Sequence, residues 1–296
     1  MTSRDTMLSR AGRLRQMLDA CTVAIPGAYN ALTAMQIERA GYEAVYVSGA
    51  AVSACRGMPD IGRLSLSQML GDAATIAKAV SIPTIVDADT GYGPPNTVRE
   101  AVRAFEDAGL AGMQIEDQEG AKKCGHLSGK RVIPARDMVE KIEAATESRA
   151  RREFVIVART DARGAEGLDS AVGRALVYAK AGADALFPEA LESAEEFRRF
   201  SAAMQEHGVT IPLIANMTEF GKTPYLTVQQ FGELGYRGVL FPVTALRIAT
   251  RAIEKLLVEL RRCGSQQDWL DRMMTRAELY DLLRYEQETK GESEVP

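Results

Sequence analysis

Eight short, apolar, β-branched runs recur along this 296-residue chain with helical patterns between them, and few architectures accept that alternation. The runs are residues 22–25 (TVAI), 44–48 (AVYVS), 84–87 (TIVD), 112–116 (GMQIE), 154–159 (FVIVAR), 185–188 (ALFP), 211–215 (IPLIA) and 238–242 (GVLFP). Most are apolar throughout, as parallel strands buried on both faces are. Helical patterns fill residues 31–40, 66–80, 96–108, 135–148, 168–181, 193–206, 227–234 and 244–262, with Asn96 an expected N-cap. The turn into the next strand reads Ala40-Gly41, Ala108-Gly109, Ala181-Gly182 or Leu234-Gly235, where glycine supplies the left-handed residue that stops a helix. The expected fold is α/β, a (β/α)8 TIM barrel, with an open doubly wound sheet as the alternative.

No Pro/Ser/Gly-rich linker divides the chain, so 1–296 reads as one barrel domain with a C-terminal helical extension from about residue 265 to 296. A further helix is expected over 267–286. Its stripe of Trp269, Leu270, Met273, Leu279, Leu282 and Leu283 would pack on the barrel or on a partner subunit. The composition, 46% apolar and 26% charged, is that of a globular protein. A net charge of -4 argues against nucleic acid, and no apolar run reaches the ~18 residues of a membrane span. The N-terminus, MTSRDTMLSRAGRLRQML, lacks the apolar core of a secretory signal, so a cytoplasmic location is expected. Four cysteines without a CxxC pair suggest neither a disulfide framework nor zinc; Cys21, Cys55 and Cys263 are expected to pack as small apolar residues.

Barrel chemistry sits at the carboxyl ends of the strands, and this chain puts its polar residues there. They are Tyr46, Ser48 and Gly49 on strand 2, Asp87 and Asp89 on strand 3, and Glu116 and Asp117 on strand 4. Strand 5 ends in Arg159 and Asp161, strand 6 in Glu189, and strand 7 in Asn216, Thr218 and Glu219. The Asp87-Ala-Asp89 spacing lets both carboxylates face one mouth. With Glu116 beside them, the set suits a hard cation, Mg2+ or Mn2+, with one acid in direct contact and the others acting through water. A hydrogen-bonded acid network without a metal is the alternative. Arg159 and Arg247 suit the gripping of carboxylates.

A long loop, 118–133, follows strand 4 and carries Lys122-Lys-Cys124-Gly125-His126, then Lys130 and Arg131. Long loops over a barrel mouth are often lids. Cations flanking Cys124 favour its thiolate and suit it to proton transfer, though the same residues also describe an ordinary exposed cysteine. His126 has a second reading as a structural hydrogen-bond donor. Arg276, from its own surroundings, reads as a solvated helix face.

Together, KKCGHL (122–127), VDADTGYG (86–93), IEDQ (115–118), VARTDA (157–162) and FPEA (187–190) resemble, in order and spacing, the isocitrate lyase and phosphoenolpyruvate mutase superfamily, specifically its carbon–carbon lyase branch. The likeness covers nearly the whole chain. It implies a Mg2+-dependent lyase acting on a small tricarboxylate by a retro-Claisen cleavage, in a homotetramer that exchanges a C-terminal helix between subunits. It also implies a substrate site of Ser48, Gly49, Ala50, Cys124, Gly125, Arg159, Glu189, Asn216, Met217, Thr218, Arg247 and Arg276, with the metal at Asp87, Asp89 and Glu116. Catalytic roles fall to Cys124, Tyr46, Asp60, Lys122 and His126. In this family a bulky aromatic at Phe187 accompanies a methylated substrate. Two departures stand out. Ser48-Gly49-Ala50 replaces the Ser-Gly-Gly of close relatives, and the stretch from Pro26 to Leu32 looks more like lyases of other substrates, dimethylmalate among them.

Overall fold

The computed structural model describes residues 8–120, 122, 125 and 129–285. In chain order the elements are α1 (Arg10–Ala20), β1 (Val23–Ala28), α2 (Ala31–Arg39), β2 (Val45–Val47), α3 (Gly49–Cys55), α4 (Leu66–Ala79), β3 (Thr84–Asp87), α5 (Pro95–Asp107), β4 (Gly112–Glu116), α6 (Ala135–Ser148), β5 (Val155–Thr160), α7 (Ala162–Glu166), α8 (Leu168–Lys180), β6 (Ala185–Pro188), α9 (Ala194–Glu206), β7 (Ile214–Asn216), α10 (Val228–Glu233), β8 (Gly238–Phe241), α11 (Thr244–Cys263), a 3-10 turn (Gln267–Arg272) and α12 (Arg276–Leu282). The eight strands form one parallel sheet in the order β6-β5-β4-β3-β2-β1-β8-β7. A lone parallel bridge, Leu186 to Leu213, joins the two outer strands and closes the sheet on itself. The doubly wound alternative is thereby excluded.

Two layers of apolar side chains result. The larger lies between the strands and the surrounding helices. The smaller fills the barrel interior, where Val23, Ile25, Ile85, Val155, Val157, Phe187 and Leu240 meet Leu14 and Leu18 of α1. Helix α1 therefore plugs the amino end of the barrel. Arg15 holds it there through carbonyls of Arg152 and Glu153 and an ion pair with Asp184 at 2.7 Å. With that end stoppered, the open mouth is at the carboxyl ends of the strands.

Strands β3, β4 and β6 fall where the sequence places them, and β7 starts three residues later than expected, beyond Pro212, which has no N–H for a ladder. Pro95 opens α5 with Pro94 before it, displacing Asn96 from the cap. Glycines 41, 109, 182 and 235 all take positive φ, from 82° to 100°. The helix expected over 267–286 is two pieces. Thr275 starts the second through a capping box in which its Oγ1 accepts from Glu278 N and Glu278 Oε2 accepts from Thr275 N at 2.7 Å. Of the apolar stripe only Leu282 is buried, while Leu270 is 58% exposed. Cys21, Cys55 and Cys263 are exposed rather than packed, because each sits at a helix end facing solvent. Helix α11 buries none of its residues and leaves Ile248, Ile253, Leu257 and Val258 in solvent. No helix among the described residues is long and apolar enough to cross a membrane.

Candidate active site

The strand ends surround a cavity of ≈ 100 Å³ lined by Tyr46, Ser48, Ala50, Asp60, Asp87, Lys122, Gly125, Arg159, Phe187, Glu189, Asn216, Thr218 and Arg247, with Leu240, Pro242 and Val243 completing the wall. A larger cavity, ≈ 740 Å³, opens at the other end of the barrel beside Tyr42, Pro83 and Leu282, and holds none of these strand-end groups.

On one side of the mouth a relay fixes Asp87. Tyr46 Oη donates to Gln114 Oε1 at 2.5 Å, and Gln114 Nε2 donates to Asp87 Oδ1 at 3.4 Å. The backbone N–H of Asp89 reaches the same oxygen at 3.1 Å, and that of Gly49 reaches Oδ2 at 3.3 Å. A side chain at Gly49 would put a Cβ 2.9 Å from Oδ2, so only glycine lets the α3 terminus approach this closely. Burial, then the Asp87 charge, pushes the Tyr46 phenol well above its ordinary pKa and keeps it a donor. Gln114 was not singled out by sequence reasoning. Its signal is a polar residue two positions before Glu116 in an otherwise apolar strand, which puts both on one face.

Opposite lies Arg159. Its Nε and Nη2 donate to Asp161 at 2.9 and 3.1 Å, and it pairs with Glu116 at 3.3 Å and Glu189 at 3.4 Å. The Phe187 ring lies 5.2 Å from its guanidinium. Burial opposes the guanidinium charge, but Asp161, Glu116 and Glu189 outweigh it and raise the pKa further. Asn216 Nδ2 donates to Glu189 at 3.2 Å, linking the ends of β6 and β7. Lys130 ties the long loop to this cluster, pairing with Asp161 at 2.7 Å and donating to the Gly125 carbonyl. Antiparallel bonds hold the loop's base, Glu119 N to Arg131 O at 3.0 Å and Ile133 N to Asp117 O at 2.9 Å. Lys122 dips into the cavity, pairing with Asp60 at 2.8 Å and with Asp89. Burial works against its charge, yet Glu116, Asp87, Asp89 and Asp60 hold it well above the usual lysine value.

These groups fit a divalent cation. Six carboxylates (Asp60, Asp87, Asp89, Glu116, Asp161, Glu189) gather with four side-chain cations (Lys122, Lys130, Arg159, Arg247). Asp89 Oδ1 and Glu116 Oε2 are buried and, although ion-paired, accept no aligned hydrogen bond. Burial, with Asp87 beside it, lifts the Asp89 carboxyl to about 6, and burial also lifts Glu116 well above its ordinary range. A polyanion entering such a site needs more positive charge than the chain supplies. Among the described residues no three acids converge into a ready cage. Glu116 turns to Arg159 and Gln118, Asp89 turns to Lys122, and Asp87 alone of the expected trio lines the cavity. That suits Mg2+, which keeps waters and takes few carboxylates directly.

Not every expected residue joins the mouth. Asp117 points away, because strand alternation turns it outward; it accepts from Thr160, Tyr178 and Asp161 N at 2.8 Å each. Met217 faces the core for the same reason, its sulfur accepting from Leu226 N at 3.5 Å. Gly49 acts through its N–H rather than as lining. Arg276 is exposed at the start of α12, which docks on α2 through an Arg39–Asp281 pair, so it does not line this chain's own cavity. Cys124 and His126 lie outside the described residues.

A closed parallel barrel with acids, guanidinium groups and a loop lysine gathered at the carboxyl ends of its strands is an enzyme architecture for small anionic substrates. The family model described as phosphoenolpyruvate phosphomutase matches residues 14–261. The chain is 50% identical over 283 residues to the 2-methylisocitrate lyase of Aeropyrum pernix, covering 95% of this chain and 90% of that one. It superposes on the crystal structure of a 2,3-dimethylmalate lyase with a TM-score of 0.89 at 34% identity, covering 97% and 95% of the two chains. A phosphonopyruvate hydrolase solved with oxalate and Mg2+ matches at a TM-score of 0.87 and 29% identity, over 97% and 99%. The chain belongs to the phosphoenolpyruvate mutase family, within the isocitrate lyase and phosphoenolpyruvate mutase superfamily.

Proposed function

We propose that this chain is a Mg2+-dependent carbon–carbon lyase that cleaves 2-methylisocitrate to pyruvate and succinate, the lyase step of propionate breakdown by the 2-methylcitrate cycle. The observation that carries the reading is the buried Arg159, seated on the Phe187 ring and held by three carboxylates at the cavity wall. It supplies a fixed cation for a carboxylate beside an apolar surface for a methyl group. The 50% identity over nearly the whole chain supports the same substrate.

A divalent cation held from Asp87, with Asp89 and Glu116 in support, would polarise the substrate's hydroxyl and its neighbouring carboxylate. The chain's own groups do the rest. The Asp60 carboxylate, directly or through a water, takes the hydroxyl proton; Tyr46, kept protonated, instead orients Asp87 through Gln114. The electron pair of the O–H bond forms the ketone of pyruvate. The bond to the adjacent CH breaks, and its electrons pass into that carbon's carboxylate as an enediolate. Arg159, Asn216, Thr218 and Arg247 stabilise this charge. Cys124 returns one proton to the carbon, completing succinate, with Lys122 and His126 each two residues from it in the sequence. Lys130, by holding the Gly125 carbonyl and pairing with Asp161, fixes Gly125 against the strand ends.

The reading includes a cytoplasmic homotetramer. The uncovered apolar face of α11 supports assembly, and Arg276 would reach a substrate in a neighbouring copy through helix exchange. A second reading is a related lyase acting on dimethylmalate or isocitrate; the resemblance to the 2,3-dimethylmalate lyase structure favours it over a phosphonopyruvate-type enzyme. Steady-state kinetics with 2-methylisocitrate, isocitrate and 2,3-dimethylmalate decide. The proposal expects the highest kcat/KM for 2-methylisocitrate and fails if either rival exceeds it.

A further inference from the structure

Phe220, in the turn after β7, has little to pack against within the single chain except Arg247 of α11. It is 88% exposed, and its backbone takes φ 60°, a conformation that disfavours an aromatic residue. Its N–H donates to Tyr225 Oη at 3.2 Å. Its ring lies 5.3 Å from the guanidinium of Arg247, which lines the cavity from one turn into α11. Glu219 takes the edge of the same guanidinium, accepting on its backbone carbonyl and pairing through Oε2 at 3.5 Å, and Thr244 Oγ1 donates to Glu219 in turn. Arg247 is otherwise a long side chain, 43% exposed, with no other ion pair among the described residues. A ring on one face and a carboxylate on one edge leave the remaining donors to the cavity.

We propose that Phe220 is a positioning residue that clamps Arg247 so that its free edge meets a substrate carboxylate at the mouth. The proposal rests on the reading that Arg247 binds a carboxylate of the substrate or of the succinate product. The positive φ of Phe220 accompanies a ring that lies against the guanidinium. Glycine at 220 would relieve the backbone and lose the ring, so fold and binding respond in opposite directions.

The experiment uses the full chain with Mg2+. KM and kcat for 2-methylisocitrate, the calorimetric Kd for succinate, and Tm are measured for Phe220→Gly, Phe220→Ala and Phe220→Tyr. Phe220→Gly and Phe220→Ala should raise KM and the succinate Kd about two- to fivefold, the worth of an exposed cation–π contact, with kcat within about twofold. Phe220→Gly should keep or raise Tm, and Phe220→Tyr should restore binding. In an Arg247→Ala background, Phe220→Ala should change succinate binding no further. Unchanged succinate Kd in Phe220→Gly, or an equal loss on Phe220→Ala with and without Arg247, overturns the proposal. A wild-type chain inactive on 2-methylisocitrate whose succinate binding still depends on Phe220 refutes the functional reading and leaves the clamp standing; normal turnover without that dependence does the reverse.

Discussion

Gly125→Ala is the smallest change that should disable this site. A Cβ built on Gly125 falls 2.5 Å from Arg159 Nη2, 2.6 Å from Glu189 Cγ and 2.7 Å from Glu189 Cδ. An ordinary carbon contact is ~3.5–4.0 Å, so each atom must retreat by roughly 1 Å. None is free to do so. Arg159 is held by the two bonds it donates to Asp161 and by the Phe187 ring, Glu189 is fully buried, and the Gly125 carbonyl is tied to Lys130. Overpacking of this kind costs about 1–3 kcal/mol. Either Gly125 backs away from the strand ends or the Arg159 fork opens. A displacement of ~1 Å at reacting groups costs about 10²-fold in rate. Gly125 does not occupy the left-handed region, so alanine adds no backbone strain and the effect is steric. The assay is kcat and KM for 2-methylisocitrate with a urea denaturation curve alongside. Turnover within threefold of wild type would refute the account of how loop and strand ends pack.

Cys124→Ser should still bind succinate yet lose about 10²–10⁴-fold in kcat, the range for removing a positioned proton donor; near-normal turnover removes the thiol from its role. Exhaustive EDTA treatment should abolish activity and added Mg2+ restore it, whereas activity that survives chelation removes the cation. Burial alone would raise the Asp161 carboxyl, but Arg159 and Lys130 outweigh it and hold the folded pKa below the ordinary value. Its contribution to stability is therefore complete above the unfolded range, about 4, and is lost as pH falls through the lower folded value. Denaturation of Asp161→Asn and wild type from pH 7 to pH 3 should show a stability gap that narrows as acid is added; a gap that widens would contradict this sign.

Much of the barrel was readable because buried parallel strands leave unbroken apolar runs. TIVD, GMQIE and ALFP coincide with β3, β4 and β6. Helix α3 was not, since GAAVSAC offers only small residues and no stripe, and α1 sits in a stretch whose arginines mask the Leu14–Leu18 face. The break before α12 carries a signal of its own, Thr275 three residues ahead of Glu278. At the site, residue types alone marked the acids and Arg159. They could not show where each carboxylate points: Glu116 turns to Arg159 inside the barrel, Asp117 turns outward to Thr160, and only Asp87 of the expected metal trio lines the cavity. Gln114 and Lys130 act by holding other groups in place, so their residue types mark them as polar without showing that Gln114 meets Asp87 or that Lys130 meets Asp161.

Between β6 and β7 the wall of the barrel hangs on the lone Leu186–Leu213 bridge, and just above it Glu189 and Asn216 reach across. That gap is the slackest stave of the cask. An anion that grips Arg159 on one bank and Asn216 on the other also acts as a hoop, so occupancy should slow amide exchange at Leu186 more than at strands elsewhere in the ring.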